Sequence, residues 1–171
     1  SGDIPPEYGR YGSSDYAAGP VTVNLGEGRT AVAVSAGRYH TCAIRDDGAL
    51  MCWGSNEDGG HKTGGTGGQV GFPIPGALRL DCPRYTVDLG PGRTAVAVSA
   101  GDRHTCVIRD DGSLICFGLN EYGQLGDGES GKGKKSGGAD PSKPVDLGVG
   151  RTAVAVSAGY AHTCALLDDG S

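Results

Sequence analysis

The decapeptide GRTAVAVSAG occurs three times without a change, beginning at Gly28, Gly92 and Gly150. Each copy leads into a closely similar continuation: RYHTCAIRDDGALMCWG, then DRHTCVIRDDGSLICFG, then YAHTCALLDDGS up to Ser171. A unit that returns at this spacing folds as one supersecondary element. It buries its apolar face only by stacking on its neighbours, so the chain is an array, a solenoid or a propeller. The total of 171 residues allows one domain. Glycine supplies 33 of them, and tryptophan and phenylalanine together only 3. That composition predicts a turn-dense β protein with small side chains rather than a helical one.

Within one unit, AVAVS is small, alternating and bounded by glycine, and reads as a short strand. The HTCAIRDDGALMCWG that follows reads as a hairpin. Asp46, Asp47 and Gly48 suit a three-residue loop, a type I turn closed by a left-handed glycine. That loop sets Arg45 opposite Ala49, Ile44 opposite Leu50 and Cys42 opposite Cys52. The alternation of a strand then puts His40, Cys42, Ile44, Leu50 and Cys52 on one face. Asp110, Asp111 and Gly112 give the second copy the same register, with Cys106 opposite Cys116. A two-residue turn would set the cysteines diagonally. The segments before each GRT, namely VTVNL, YTVDL and KPVDL, supply a fourth strand. The expected fold is all-β, a propeller-type array of four-stranded blades with about three repeats present, as a partial or open ring.

The HTC-(A/V)-(I/L)-x-DDG-x-L-x-C-(W/F)-G core, followed by NEYGQLGDG at residues 120–128, resembles the repeat of the regulator of chromosome condensation family. It is most similar to that family's cysteine-bearing bacterial and environmental variants. The resemblance covers roughly residues 21–171 and implies a propeller of about seven units in a complete member. The chain departs from the pattern at residues 56–60, where NEDGG lacks the QLGDG continuation. The boundaries expected are an N-terminal arm at 1–20, the tail of a preceding repeat on one reading; a first repeat at 21–84 with an inserted loop at 55–84; a second at 85–142; and a third at 143–171. The third stops inside its hairpin, before a return strand. The chain is therefore expected to be a piece of a longer protein or to be completed by other chains.

Cysteine carries the strongest chemical signal. Cys42 and Cys52, like Cys106 and Cys116, face each other across a tight hairpin. Opposed Cα atoms of a non-hydrogen-bonded pair lie about 4.5 Å apart, within disulfide range. The expected pairing is Cys42–Cys52 and Cys106–Cys116. Disulfides in successive units imply an oxidising compartment, so the location expected is extracellular or at a cell surface. Zinc held by His40, Cys42 and Cys52 is the weaker reading, because structural zinc sites favour closer cysteine spacing and no fourth ligand recurs. Cys82 lies in the insertion and Cys164 has no return-strand partner in the sequence.

The remaining motifs read as structure. His40, His104 and His162 recur in every unit, which predicts a structural imidazole bonded to backbone rather than a catalytic base. Two carboxylates per Asp-Asp-Gly turn fall short of the six to eight oxygens that calcium takes. Residues 126–133 superficially match a phosphate loop, but glycine follows Lys132 where serine or threonine is required, and no strand-to-helix context surrounds it. The formal charge of −5 argues against general nucleic-acid affinity. No apolar run is long enough to span a membrane. No cofactor, no metal and no catalytic constellation is expected.

Two functions follow. The first is a non-enzymatic extracellular structural or binding module that presents loops to a protein or glycan partner, or that self-assembles head-to-tail into a surface filament. The assembly edge expected is Tyr160, His162 and Cys164 of the third hairpin, covered by the arm carrying Ile4, Tyr8 and Tyr11 of a neighbouring copy. The second is what the family implies: guanine-nucleotide exchange for Ran, or a regulatory scaffold of that type. The family's plant ultraviolet-B photoreceptor uses clustered tryptophans, whereas this chain has Trp53 alone.

Overall fold

The structure is a computed structural model, and it describes residues 23–54, 86–130, 135–136 and 143–171. Residues Ile4, Tyr8, Tyr11 and Cys82, and the whole inserted loop 55–84, lie outside the described residues.

Among the described residues, three small antiparallel sheets follow one another along the chain. The first holds β1 (Ala31–Ala36), β2 (His40–Arg45) and β3 (Leu50–Gly54) in that order. The second holds β4 (Ala95–Ala100), β5 (His104–Arg109), β6 (Leu114–Leu119) and the two-residue β7 (Lys135–Ser136). The third pairs β8 (Ala153–Ala158) with β9 (Thr163–Leu167). The hairpin register pairs Ile44 with Leu50 and Cys42 with Cys52, and likewise Ile108 with Leu114 and Cys106 with Cys116. Arg45 N–H donates to Ala49 O at 2.9 Å, which closes the three-residue loop. Gly48 and Gly112 hold φ of +77° and +76°, the left-handed conformation that glycine adopts without a Cβ penalty.

The segments before the second and third GRT each join the sheet of the hairpin that precedes them. Thr86 bridges Met51, and Val87 N–H donates to Leu50 O at 2.8 Å. Val145 N–H repeats this with Leu114 O at 2.8 Å. The first and second sheets are thereby completed from the outside by residues that, in sequence, stand at the door of the next unit. A bulge recurs at the second residue of each AVAVSA strand. It turns Val32, Val96 and Val154 out to solvent, because the extra residue of a bulge leaves the pairing.

The sheets stack face to face like blades. The first interface buries Cys42, Ile44, Leu50, Cys52, Val87 and Leu89 of one blade against Val107, Ile115 and Phe117 of the next. The second places Cys106, Ile108, Leu114, Cys116, Val145 and Leu147 against Ala153, Ala165 and Leu167. Burying a side chain such as Phe117 or Ile44 stabilises by about 1.5–3 kcal/mol. The core therefore lies between blades rather than within one, as a stacked repeat requires.

Candidate binding surfaces at the blade joints

Both cysteine pairs are bonded, Cys42 to Cys52 and Cys106 to Cys116, each with Cα atoms 4.1 Å apart. Cys42 and Cys106 are fully buried, so the sulfurs belong to the inter-blade core. Cys164 is exposed and free. The cysteines of a zinc reading are thus consumed. Among the described residues, no group of three or more His, Cys, Asp or Glu is placed to hold a metal.

The Asp-Asp-Gly turn has three separate duties. The first aspartate accepts from the threonine of its own GRT: Asp110 Oδ1 from Thr94 N–H at 3.2 Å and Asp168 Oδ1 from Thr152 N–H at 3.1 Å. The second caps the turn: Asp47 Oδ1 accepts from Ala49 N–H at 3.2 Å and Asp111 Oδ1 from Ser113 N–H at 3.1 Å. The bond from Arg45, helped by Ala49 N–H, holds the Asp47 carboxyl at about 2. Asp111 and Asp169 are also held below the carboxylate range, by Ser113 and Ser171 respectively. The glycine serves the next blade. Gly48 O accepts from Ala95 N–H and Gly112 O from Ala153 N–H, both at 2.8 Å.

The rest of the joint also repeats. Ala100 N–H donates to Ser35 Oγ, and Ala158 N–H to Ser99 Oγ, each at 2.9 Å. Arg38 N–H donates to Gly101 O at 3.3 Å, and Asp102 N–H to Gly159 O at 3.2 Å. His40 Nε2 lies 2.7 Å from Thr105 Oγ1, and His104 Nε2 2.9 Å from Thr163 Oγ1. The histidines are therefore structural, with a threonine of the following blade as partner, which a reading of one hairpin by itself does not find. Burial lowers the affinity of His104 for a proton. A Cβ on Gly37 or Gly101 would fall inside 3.0 Å of the next blade's backbone oxygen and of the unit's own imidazole. His40 and His104 are buried. His162, in the same position of the third blade, is exposed, as is Tyr160. The expected edge residues Tyr160, His162 and Cys164 are each exposed.

The unit varies most at the two residues before each histidine: Arg38-Tyr39, Asp102-Arg103 and Tyr160-Ala161. The joints bring these loops side by side on one rim. Asp102 is buried and accepts from Arg38 Nη1 at 3.3 Å, with Arg103 Nε 3.6 Å from its other oxygen. Asp102 holds the Arg38 guanidinium more firmly protonated than usual. The guanidinium of Arg38 stacks over the Tyr39 ring at 4.8 Å and that of Arg103 at 5.7 Å. Tyr39 and Tyr160 remain exposed.

The loop after β6 adds residues that motif reading quoted without assigning them a role. Asn120 is buried and ties it together, donating from Nδ2 to Asp127 Oδ1 and Glu129 O and accepting from Leu125 N–H. Gln124 O accepts from Thr163 Oγ1 at 2.8 Å, anchoring the loop to the third blade. No helix among the described residues is long and apolar enough to cross a membrane.

Comparison with known proteins places these features in context. A family model described as the regulator of chromosome condensation (RCC1) repeat matches residues 31–59 and 95–124, and a second model of the same description matches 111–166. The human regulator of chromosome condensation is 35% identical over 95 residues, covering 56% of this chain and 20% of that protein. The human E3 ubiquitin-protein ligase HERC2 is 30% identical over 143 residues, covering 81% of this chain and 2% of that protein. Among solved structures, yeast RCC1 (Prp20) bound to Kap60 superposes with a TM-score of 0.63 at 20% identity, over 86% of this chain and 30% of that one. Prp20p from Saccharomyces cerevisiae gives 0.65 at 16% identity, over 81% and 31%. The chain spans a fifth or less of the length of these curated relatives.

Proposed function

Because the chain belongs to the regulator of chromosome condensation (RCC1) repeat family, we propose that it is a non-enzymatic binding scaffold of the extracellular space or cell surface, engaging a protein or glycan partner through the rim of variable loops. One observation carries this. The serine, glycine, histidine and threonine that bond across the joints recur unchanged, whereas the repeat differs at residues 38–39, 102–103 and 160–161, where tyrosine and arginine stand on one surface. Arg and Tyr are the side chains that carry most of the energy in protein interfaces. The buried disulfides support an oxidising location. The test is an array of immobilised glycans and secreted-protein ectodomains probed with the chain and with Arg38→Ala/Arg103→Ala. A partner bound by the parent and lost by the double variant supports the reading. Equal binding of both chains to every partner found refutes the rim assignment.

The relatives favour a second reading. Prp20p is described with its binding to Gsp1p and histones, and a regulatory or exchange scaffold is the corresponding function for this chain. Added to a Ran-type GTPase loaded with fluorescent GDP, the chain should leave nucleotide release unchanged. Acceleration would establish the regulatory reading instead. Head-to-tail self-assembly is the structural variant of the first reading. The third blade exposes Ser157 and His162, the counterparts of the residues that bond forward across each joint. Light scattering across a concentration series tests it: a constant monomer mass rejects it.

A further inference from the structure

At the rim, the loop before each histidine stacks on the next one. Arg38 N–H donates to Gly101 O, and Asp102 N–H to Gly159 O. Residues 38, 102 and 160 therefore form one row, Arg38, Asp102 and Tyr160, and residues 39, 103 and 161 a second, Tyr39, Arg103 and Ala161. Where the first two blades meet, this lattice gathers charge. The Asp102 side chain is 6% exposed, against 52% for Arg38 and 42% for Arg103. One of its oxygens accepts from Arg38 Nη1 at 3.3 Å, and the other lies 3.6 Å from Arg103 Nε. The two guanidiniums also share the Tyr39 ring, at 4.8 and 5.7 Å from its centroid. Two like charges from different blades are thus held side by side, and the anion that holds them is buried beneath them. Both sides of this joint lie within the described residues. At the following joint Tyr160 and Ala161 stand in place of Asp102 and Arg103, and no such clamp can form.

Solvent meets the cations and not the carboxylate. Two positive charges and one negative leave the clamp a single positive charge, on a chain of formal charge −5. A polyanion drawn to the clamp would be repelled by the rest of the chain, whereas a single carboxylate is matched. A guanidinium is planar and offers parallel N–H donors to both oxygens of a carboxylate. The Tyr39 ring is already committed to the guanidiniums, which leaves charge rather than ring stacking on a sugar as the basis of recognition. We propose that the paired guanidiniums of Arg38 and Arg103 bind the carboxylate of an aspartate or glutamate side chain in a partner protein. This rests on the rim assignment made above and states what the rim takes. Asp102 is a positioning residue. It holds both guanidiniums in place before the partner arrives, so less side-chain freedom is lost on binding. The exposed Tyr39 and Tyr160 supply contact area around the charge.

The probe is a library of random linear peptides displayed on phage, selected on the full chain and in parallel on Arg38→Gln/Arg103→Gln. Peptides taken by the parent alone should carry an aspartate or glutamate at one shared position. Replacing that residue by its amide in the synthetic peptide should weaken binding about five-fold or more, read by fluorescence polarisation. The acidic peptide should also shift the Nε–H signals of Arg38 and Arg103 in the NMR spectrum. Asp102→Asn raises the positive charge of the rim, yet it should weaken the same peptide about three-fold or more, because the guanidiniums lose their common anchor. Equal or tighter binding to that variant would overturn the clamp. Peptides selected by the parent alone but lacking a shared acidic residue would overturn this inference and leave the rim assignment standing. The same peptides selected on both chains would overturn the inference and the rim assignment together. A heparin tetrasaccharide that displaces the labelled acidic peptide at lower concentration than the unlabelled peptide does would make the partner a glycan and overturn the proposal.

Discussion

Gly112 is where turn, strand pairing and blade stacking meet, and Gly112→Ala should expose all three. Its φ of +76° places an L-residue in the left-handed region, at a cost of about 1–2 kcal/mol. The added Cβ would stand 2.5 Å from Thr152 Cβ, a clash relieved only by displacing the third blade, at a further 1–3 kcal/mol or so. Together these reach about 2–5 kcal/mol, and at roughly 2–4 °C per kcal/mol for a chain of this size the melting temperature should fall by about 4–20 °C. A double-mutant cycle separates the two parts. Thr152→Gly removes the atom that is struck, so Gly112→Ala in that background should cost about 1–3 kcal/mol less, while the backbone part persists. Thermal unfolding of the four chains, followed by circular dichroism, reads the cycle. An unchanged melting temperature for Gly112→Ala, or a cycle with no coupling, would refute the placement of the Asp-Asp-Gly turn against the following GRT.

Cys116→Ser should cost about 2–3 kcal/mol by the loop-entropy relation for so short a loop, and chemical denaturation should show it as a lowered midpoint in urea. Phe117→Ala should cost about 3–5 kcal/mol, because the ring is fully buried between the first two blades; proteolysis should then separate the first hairpin from the rest. Acid should act in two steps. Burial lowers the folded-state pKa of His104 although the backbone of His162 favours its charge, so the stability it contributes is present above the unfolded value of about 6.5 and declines as pH falls below it. Asp47, held at about 2 by Arg45, contributes stability above about 3.8 that is lost as pH falls towards 2. His104→Gln should remove the first step from a plot of stability against pH and leave the second.

The hairpin was legible because three signals agree within fifteen residues. The Asp-Asp-Gly turn, the pairing of Ile44 with Leu50, and the opposition of two cysteines all specify one register. The joint was less legible. Alternation says which side chains share a face, but it does not say which distant residue covers that face. His40 reaches Thr105, 65 positions away, and nothing near His40 names that partner. Repetition also hides its own phase. A periodic chain can be cut anywhere, and only the bonds from Val87 to Leu50 and from Val145 to Leu114 reveal that each VDL segment completes the sheet before it. Asn120 and Gln124 were visible as a motif, yet their roles depend on loop closure and on contact with the third blade.

An identical decapeptide need not do identical work in each copy, and its serine shows this. Ser35 and Ser99 each accept the backbone N–H of the following AVAVSA strand at 2.9 Å. Replacing either by alanine leaves that N–H partly buried without its acceptor, at a cost of about 1–3 kcal/mol. Ser157 is the same residue in the third copy. It is exposed, and no following strand stands beside it among the described residues. Ser157→Ala should therefore change stability by less than about 0.5 kcal/mol, the usual range for surface substitutions. The comparison carries its own control, because sequence context, strand position and chemistry are held constant and only the neighbouring blade differs. Measured at low micromolar concentration, Ser99→Ala should lower the melting temperature and Ser157→Ala should not. If both fall equally at every concentration, the serine stabilises its own strand and the joint assignment is wrong. If the Ser157 effect emerges only as concentration rises, a second copy has taken the place of the fourth blade, and the joint chemistry extends between molecules.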